Sequence, residues 1–168
     1  MKKYPILAVL LGAVVLVSQK SGLAADALDT WLWRNPVPEP VLLFSVAYGD
    51  GRFLAVGYSG TILSSTNGVD WTREESGTRN HLTGIAYGNN MFVALGQGVI
   101  LTSGDGVRWV THDTDGLPRL YSLTFANGLF VASGTSIATS PDGVHWTPRN
   151  SGGFAIAYGN GRFVGVGG

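Results

Sequence analysis

The sequence predicts an all-β protein built from repeated four-stranded antiparallel sheets, and three observations support that prediction. A Ser-x-(Asp/Asn)-Gly-x-x-Trp element occurs three times, and its tryptophans are 38 and 37 residues apart. A hairpin element that ends in phenylalanine occurs four times, at spacings of 39, 38 and 33 residues. Helical periodicity is absent from the chain after residue 27. Two markers that recur together, with room for four short strands per repeat, are typical of the blades of a β-propeller.

The first repeat shows why its residues predict strands and turns. Phe44, Val46 and Tyr48 alternate with small residues, which is the period of a half-buried strand. Turn positions carry Gly, Asp and Asn, as in the Asn-Gly pair of the last repeat, because these residues tolerate the positive φ of tight hairpins. The predicted order is a first strand that ends near Tyr48, strands at 53–56 and 61–64, and a fourth strand centred on Val69 and Trp71.

The recurring Ser-x-(Asp/Asn)-Gly-x-x-Trp element is predicted to be structural. Its serine and its Asp or Asn suit hydrogen bonds to the amides of a turn, and its glycine suits left-handed φ. The tryptophan, three positions after the glycine, is expected to fold back over the hairpin or to pack on the neighbouring sheet. A packing group is needed in every blade, whereas a catalytic group is needed once. The structural positions are Ser65, Asn67, Gly68 and Trp71, then Ser103, Asp105, Gly106 and Trp109, and finally Ser140, Asp142, Gly143 and Trp146.

On these residues the chain resembles the Asp-box (BNR-type) repeat β-propellers, a superfamily that includes sialidases, sortilin-type receptors, xyloglucanases and photosystem II assembly-factor propellers. The Ser, Asp or Asn, Gly and Trp positions match in all three complete repeats, although the usual Asp box has one more residue between its Asp and its Gly. The hairpin of residues 157–163, Ala-Tyr-Gly-Asn-Gly-Arg-Phe, also resembles repeats of uncharacterised exported bacterial propellers. The resemblance implies the propeller fold and leaves the activity open, because one fold serves many functions.

The repeats predict about three and a half blades, which would form an incomplete ring. Closed propellers have about 4–8 blades, so we expect the chain to be part of a longer propeller. Two alternatives stay open: a minimal four-bladed ring, and self-association of two chains into one seven-bladed ring. Residues 28–42 are expected to hold a closing strand at 31–34 and a linker. The predicted blades span roughly residues 43–72, 81–110, 119–147 and, in part, 154–168.

Residues 1–27 are predicted to be a secretory signal peptide. Lys2 and Lys3 precede an apolar run at 5–17, and an Ala-x-Ala cleavage site follows at 25–27. This run is shorter than the roughly 20 residues that span a bilayer, so an uncleaved anchor is the less favoured alternative. After cleavage the chain keeps eight arginines and ten acidic residues, a net charge of about −2, which is unlike a nucleic-acid-binding surface. We therefore expect an exported protein with no further membrane span and no nucleic-acid partner.

The sequence contains no motif for catalysis or metal binding. It has no cysteine and no Gly-x-Ser-x-Gly element, and its three histidines lack the spacing of a helical zinc site. His145 is expected to be a solvated strand residue, and residues 113–116 an ordinary turn that lacks the further ligands of a calcium loop. The Arg-Ile-Pro element of sialidases is missing, and Glu39, Glu74 and Glu75 suggest no carboxylate pair for a glycosidase. The prediction is a non-enzymatic protein without cofactor or metal.

The segments between blades, residues 73–81 and 111–119, are the predicted binding surface. They break the repeat and are rich in polar residues. Variable polar loops on a rigid repetitive scaffold commonly carry ligand specificity, and the alternative is that they are merely solvated. We expect a binding or assembly scaffold that recognises a protein or a glycan. The alternative function is that of a fragment of a glycan-processing propeller enzyme, sialidase-like or glycosidase. The candidate binding residues are Arg79, Asn80, His81, His112, Asp113, Asp115 and Arg119.

Overall fold

The computed structural model of the chain describes residues 41–114, 116–117, 119–149 and 153–167. The predicted signal peptide at 1–27, the predicted closing strand at 31–34 and the candidate residue Asp115 lie outside these residues. The described residues form fourteen strands, arranged as three four-stranded antiparallel sheets and one two-stranded sheet. The predicted architecture of about three and a half blades is confirmed.

Each full blade is a meander, in which strands that follow one another in the chain are neighbours in the sheet. Blade 1 contains β1 (Leu43–Gly49), β2 (Arg52–Gly57), β3 (Ile62–Ser65) and β4 (Thr72–Glu74). Blade 2 contains β5 (Leu82–Gly88), β6 (Met91–Gly96), β7 (Val99–Ser103) and β8 (Val110–His112). Blade 3 contains β9 (Leu120–Ala126), β10 (Leu129–Gly134), β11 (Ile137–Ser140) and β12 (Thr147–Arg149). Blade 4 contains β13 (Ala155–Gly159) and β14 (Arg162–Val166).

The hairpin between the first two strands of each blade turns through residues with positive φ. In blade 4 the turn residues Asn160 and Gly161 have φ values of 49° and 74°, as the Asn-Gly pair predicts. The tight turn fixes the register, so that Tyr158 lies opposite Phe163. Positive φ recurs at Asp50-Gly51, Asn89-Asn90 and Asn127-Gly128, and the matching aromatic pairs are Tyr48 with Phe53, Tyr87 with Phe92 and Phe125 with Phe130.

The fourth strand of blade 1 begins later than predicted. Val69 and Trp71 are not its centre but lie in the turn before it, because β4 begins at Thr72. The side chain of Asn67 explains the difference: its Oδ1 accepts hydrogen bonds from the amides of Val69 and Asp70, both at 2.9 Å. These amides are therefore bonded within the turn and do not pair with β3.

The Ser-x-(Asp/Asn)-Gly-x-x-Trp turn is closed by its own side chains, as blade 3 shows. Ser140 Oγ accepts a hydrogen bond from the Gly143 amide at 2.8 Å, and its hydroxyl donates to Asp142 Oδ1 at 3.0 Å. The same Oδ1 accepts the amide of His145 at 2.8 Å, so this exposed histidine lies in the turn and not in a strand as predicted. Trp146 Nε1 donates to the Gly143 carbonyl at 3.0 Å, which folds the indole back over the turn. The serine and Asp or Asn bonds recur at Ser65, Asn67 and Gly68 and at Ser103, Asp105 and Gly106.

The turn carboxylates predict an acid-sensitive contribution to stability. The amides of Arg108 and Val107 hold the pKa of Asp105 well below its usual range, and the side chain and amide of His145 do the same for Asp142. In the unfolded chain these groups bind protons near pH ~3.9. The unfolded state therefore takes up protons first as the pH falls, so the contribution is complete above pH ~5 and is lost progressively below it.

Blade 1 supplies the natural control for this effect, because Asn67 makes the same turn bonds without a charge. We expect the double variant Asp105→Asn, Asp142→Asn to fold and to lose less of its free energy of unfolding than the wild type between pH 5 and pH 3, a window set by the ~3.9 of unfolded aspartate. Urea unfolding at several pH values measures this. Parallel pH profiles for the two proteins would show that the turn carboxylates do not contribute.

The hydrophobic core lies between consecutive blades. One buried cluster, which includes Phe92, joins blades 1 and 2, and Trp109 packs against it. A second buried cluster, which includes Phe130, joins blades 2 and 3, and Trp146 packs against it. The indoles of blades 2 and 3 therefore lie beside the contact that each blade makes with the one before it.

A ring-on-glycine contact recurs between the first strands of consecutive blades. Gly49 of β1 lies under the ring of Tyr87, and a Cβ built on Gly49 would be 2.0 Å from Tyr87 Cγ. Gly88 of β5 lies in the same way under Phe125, where a Cβ would be 2.1 Å from the ring. A side chain at either glycine would occupy the space of the ring, so glycine sets the distance between these blades.

Candidate binding surface

The loops between blades share one end of the blades with the β2–β3 and β6–β7 turns; this end is called the loop end below. Strand direction alternates in an antiparallel meander, so the segment that leaves the fourth strand starts at the end where the second strand turns into the third. The Ser-x-(Asp/Asn)-Gly-x-x-Trp turns lie at the opposite end. The two candidate loops therefore lie on one side of the scaffold.

The first groove of the loop end has a volume of about 550 Å³. The buried Ser76 shapes its wall: Ser76 Oγ accepts a hydrogen bond from the amide of Thr78 at 3.3 Å and donates to the Thr78 carbonyl at 3.1 Å. That carbonyl approaches Gly60 so closely that a Cβ there would be 2.1 Å from the oxygen. Glycine at this position lets the loop lie against the β2–β3 turn. The groove is lined by Ser59, Gly60 and residues 73–79.

His81 fixes the end of the first loop to the β2–β3 turn. Its ring stacks on Tyr58, with ring centroids 4.0 Å apart and an interplanar angle of 28°. The amide of Ser59 donates to His81 Nδ1 at 3.1 Å. Because Nδ1 accepts, the proton of the neutral ring is on Nε2. His81 is therefore a positioning residue of the loop end.

Asn80 connects the first loop to the turn of the next blade. Its side-chain amide donates to the carbonyl of Gln97 at 3.0 Å, and the amide of Gln97 donates to the carbonyl of His81 at 3.2 Å. These two bonds hold the β6–β7 turn against the first loop. Gln97 in turn lines a second groove, of about 360 Å³. Gln97 thus links Asn80, which directly follows the lining of the first groove, to the second groove.

The second groove has the same kind of wall as the first, one blade further on. It lies beside the β6–β7 turn, and Arg119 of the second loop forms part of it. The carbonyl of Arg119 accepts hydrogen bonds from the amide of Thr135 at 2.9 Å and from its hydroxyl at 3.4 Å, so the backbone is fixed while the exposed side chain is not. The lining residues are Gly96, Gln97, Gly98, Arg119, Leu120 and Tyr121.

The structure brings together some of the predicted binding residues and separates others. Arg79 lines the first groove, Asn80 and His81 directly follow it in the chain and bond the neighbouring turns, and Arg119 lines the second groove. His112 is instead the last residue of β8, and its Nε2 lies 2.7 Å from the hydroxyl of Thr102. Asp113 is exposed and has a partner of its own, and Asp115 lies outside the described residues.

The charged groups of the two grooves determine their chemistry. Arg79 and Arg119 are exposed, and neither guanidinium has a hydrogen-bond or ion-pair partner in the described part of the chain. The carboxylate of Glu74, in contrast, accepts a hydrogen bond from the hydroxyl of Ser64. The loop end therefore offers three exposed cations without a partner among the described residues, Arg73, Arg79 and Arg119, beside an aromatic ring. Arg73 and Arg79 share the first groove with Glu74 and the exposed Glu75, whereas none of the described residues that line the second groove beside Arg119 is acidic. This combination suits carboxylate and amide groups on a ligand.

Sequence reasoning missed Tyr58, Gln97 and Tyr121. Tyr58 and Gln97 occupy the same turn in consecutive blades, where Thr135 stands in blade 3. A position that varies between otherwise matching repeats indicates an exposed residue that the fold does not require. This variation could have identified Tyr58 and Gln97 as candidate binding residues from the sequence. Across the ranges that the structure describes, no three His, Asp or Glu side chains form a metal-binding group. The part of the chain that the structure describes contains no helix long and apolar enough to cross a bilayer.

Comparison with solved structures shows that the chain has the β-propeller fold. The structure "YCF48 bound to D1 peptide" is similar with a TM-score of 0.60 and 18% identity, over 73% of this chain and 46% of that one. YCF48 from Cyanidioschyzon merolae is similar with a TM-score of 0.57 and 17% identity, over 67% and 38%. The chain thus spans less than half the length of these two proteins. No protein-family model and no curated protein matches the sequence.

Proposed function

We propose that this protein is an exported, non-enzymatic β-propeller scaffold whose loop end binds an extended segment of a partner protein. One observation carries the proposal: grooves of two consecutive blades lie at one end, Asn80 directly after the first groove bonds Gln97 of the second, and each groove holds an exposed arginine without a partner among the described residues. An extended peptide that follows both grooves would satisfy exposed backbone groups and place an acidic group near Arg79 or Arg119. The peptide bound to YCF48 in the similar structure supports this class of ligand.

We also propose that the protein is exported and that its recurring turns are of the Asp-box type. Export is inferred from the predicted signal peptide at residues 1–27. We assign the three Ser-x-(Asp/Asn)-Gly-x-x-Trp turns to the Asp-box type, because in each one the serine and the Asp or Asn side chains bond the turn amides. Their role is structural and lies at the end of the blades opposite the grooves.

The test is a peptide-binding measurement with two matched variants. Peptides are selected from a random displayed library on the processed protein, and their dissociation constants are measured by calorimetry. The loop variant carries Arg79→Ala, His81→Ala and Arg119→Ala. The control carries Arg108→Ala and Arg162→Ala, which remove two exposed arginines from the opposite end.

We expect the loop variant to bind at least about tenfold more weakly, because a hydrogen bond to a charged group contributes ~1.5–3 kcal/mol. The control variant should bind like the wild type. Unchanged binding by the loop variant, or equal weakening by both variants, would contradict the proposed surface. Selection of no peptide, with binding of glycans instead, would contradict the proposed ligand class.

A further inference from the structure

A small apolar cavity adjoins the second groove of the loop end; it is called the side cavity below. It has a volume of about 80 Å³. Leu95, Ile100 and Leu120 line it, are at most 5% exposed and belong to the buried cluster that joins blades 2 and 3. The core therefore holds this wall in place before any ligand binds. The residues that line both the side cavity and the second groove are Gly96, Gly98, Arg119 and Leu120.

The side cavity exists because the second loop does not pack onto its neighbouring turn as the first loop does. Gly60 of the β2–β3 turn and Gly98 of the β6–β7 turn occupy the same position, and both have positive φ. A Cβ on Gly60 would lie 2.1 Å from the carbonyl oxygen of Thr78 and 2.9 Å from Ser76 Oγ. A Cβ on Gly98 would meet no atom within 4 Å. The second loop therefore leaves open the space that the first loop fills.

The two loops also differ in the residues that border this space. Residues 72–82 and 110–120 align without a gap, so that Thr114 corresponds to the buried Ser76 and Leu117 corresponds to the exposed Arg79. Thr114 and Leu117 both line the side cavity. The amide of Leu117 donates to the carbonyl of Thr114 at 2.9 Å, and Leu117 packs against the buried cluster. An apolar side chain thus stands at the cavity where the first loop carries a charge.

Arg119 gives this apolar site a positive edge. It borders both the second groove and the side cavity, and its exposed guanidinium has no partner among the described residues. None of the described residues that line either space is an Asp or a Glu. The first groove, in contrast, is lined by Glu74 and Glu75. A ligand carboxylate is therefore better matched by the second groove than by the first.

We propose that the second groove determines which peptide binds: the side cavity takes an aliphatic side chain, and Arg119 binds the carboxylate of an acidic residue two positions away. The inference rests on the proposed function for the peptide nature of the ligand. Residues i and i+2 of an extended segment face the same side, so both groups can reach the same wall together. A cavity of ~150 Å³ holds benzene, so 80 Å³ suits a leucine or valine side chain better than an aromatic ring.

The test is an NMR titration of the ¹⁵N-labelled processed protein with short blocked peptides. The probes are acetyl-Leu-Ser-Asp-amide and acetyl-Asp-Ser-Leu-amide. Both orders are used because the remaining contacts of a longer ligand set its chain direction. Each probe is compared with its Leu→Ala form and with its Asp→Asn form. Glucuronate serves as a carboxylate that lacks an aliphatic side chain.

We expect the tighter of the two orders to bind with a dissociation constant of about 1 mM or lower. It should shift the amides of Gly96, Gly98 and Leu117, and its leucine methyl groups should show nuclear Overhauser contacts to Leu117. The Leu→Ala form, the Asp→Asn form and glucuronate should each bind at least about fivefold more weakly, because each lacks one of the two contacts.

Two variants separate the two contacts. Thr114→Phe fills the side cavity and should abolish the preference for Leu over Ala while it keeps the preference for Asp over Asn. Arg119→Gln should have the opposite effect, since it removes the charge and leaves the cavity. The matched controls are Thr147→Phe and Arg162→Gln, which change exposed residues of β12 and β14 at the other end of the blades. Both controls should bind the probes like the wild type.

A third variant tests the size of the cavity, and it carries the test if Thr114→Phe does not fold. Leu117 is only partly buried, so Leu117→Ala should fold and should enlarge the side cavity. We expect this variant to prefer a probe with Phe in place of Leu, which is the reverse of the wild-type preference. An unfolding curve for each variant establishes that it is folded.

Three results would overturn the inference. The first is that neither probe order shifts these amides at its highest soluble concentration. The second is that the Leu→Ala form, the Asp→Asn form or glucuronate binds as tightly as the parent probe. The third is that Thr114→Phe or Arg119→Gln changes binding no more than its control.

Failure of this inference and failure of the proposed function give different results. If the longer selected peptides bind at the loop end but the short probes do not bind at the side cavity, only the specificity site is wrong. If the short probes bind there as expected but no longer peptide is selected, the specificity site is supported and the binding of an extended partner segment is contradicted.

Discussion

Replacement of Phe92 by alanine should lower the free energy of unfolding by about 3–5 kcal/mol. Phe92 is fully buried in the cluster that joins blades 1 and 2, and its ring centroid lies 4.5 Å from that of Tyr87. Its removal leaves a cavity between two blades that are both held in place by other contacts, so the surrounding side chains cannot fill the space. Urea unfolding followed by tryptophan fluorescence measures the loss.

Phe163 provides the matched control for this prediction. It occupies the same hairpin position in blade 4 and contacts Tyr158 at 4.7 Å, but it is only partly buried. Phe163→Ala should therefore cost less than half as much, because much of its surface already contacts solvent. Equal losses for Phe92→Ala and Phe163→Ala would contradict a core that is concentrated between the full blades.

Replacement of Gly88 by alanine should cost about 1–3 kcal/mol, although it adds only one methyl group. The new Cβ would lie 2.1 Å from the Phe125 ring, so either the ring or the whole of blade 3 must move. The matched control is Gly159→Ala, which puts the same methyl group at the equivalent site of blade 4, where nothing lies within 4 Å. It should change stability by less than ~0.5 kcal/mol.

The chain already contains a natural version of this substitution. The position equivalent to Gly88 in blade 3 is Ala126, and the ring that would cover it, Tyr158 of blade 4, is 38% exposed. Combining Gly88→Ala with Phe125→Leu, which shortens the obstructing ring, should recover part of the lost stability. If the double variant were no more stable than Gly88→Ala alone, close approach would not be the cause.

The repeat pattern was enough to predict the fold, because each blade specifies itself locally. The serine, the Asp or Asn and the glycine bond within a few residues of one another, as at Ser140 and Gly143, so the sequence contains the whole turn. The start of the fourth strand was predicted wrongly at Val69 and Trp71. The competition between a side-chain acceptor and a strand partner for the same amide is decided by geometry, and the alternation of residue types does not reveal it.

The loop end was predicted only in part for a related reason. Arg79, Asn80 and His81 were found because they interrupt the repeat. Their partners Tyr58 and Gln97 come from turns that are distant in the sequence and contact the loop only after the blades pack. His112 was included because it lies in the predicted variable segment 111–119, although the structure places it in β8, where its ring contacts Thr102 of its own blade. The contacts between repeats could therefore not be predicted from the sequence and were found only in the structure.

The packing of consecutive blades through aromatic rings on their first strands is tested most directly by NMR. In the labelled protein we expect nuclear Overhauser contacts between the Tyr87 ring and the α protons of Gly49. The same contacts should join the Phe125 ring to Gly88, and the α protons of both glycines should be shifted strongly upfield by the ring current. Ordinary shifts at both glycines, with no contact to either ring, would contradict this packing between consecutive blades.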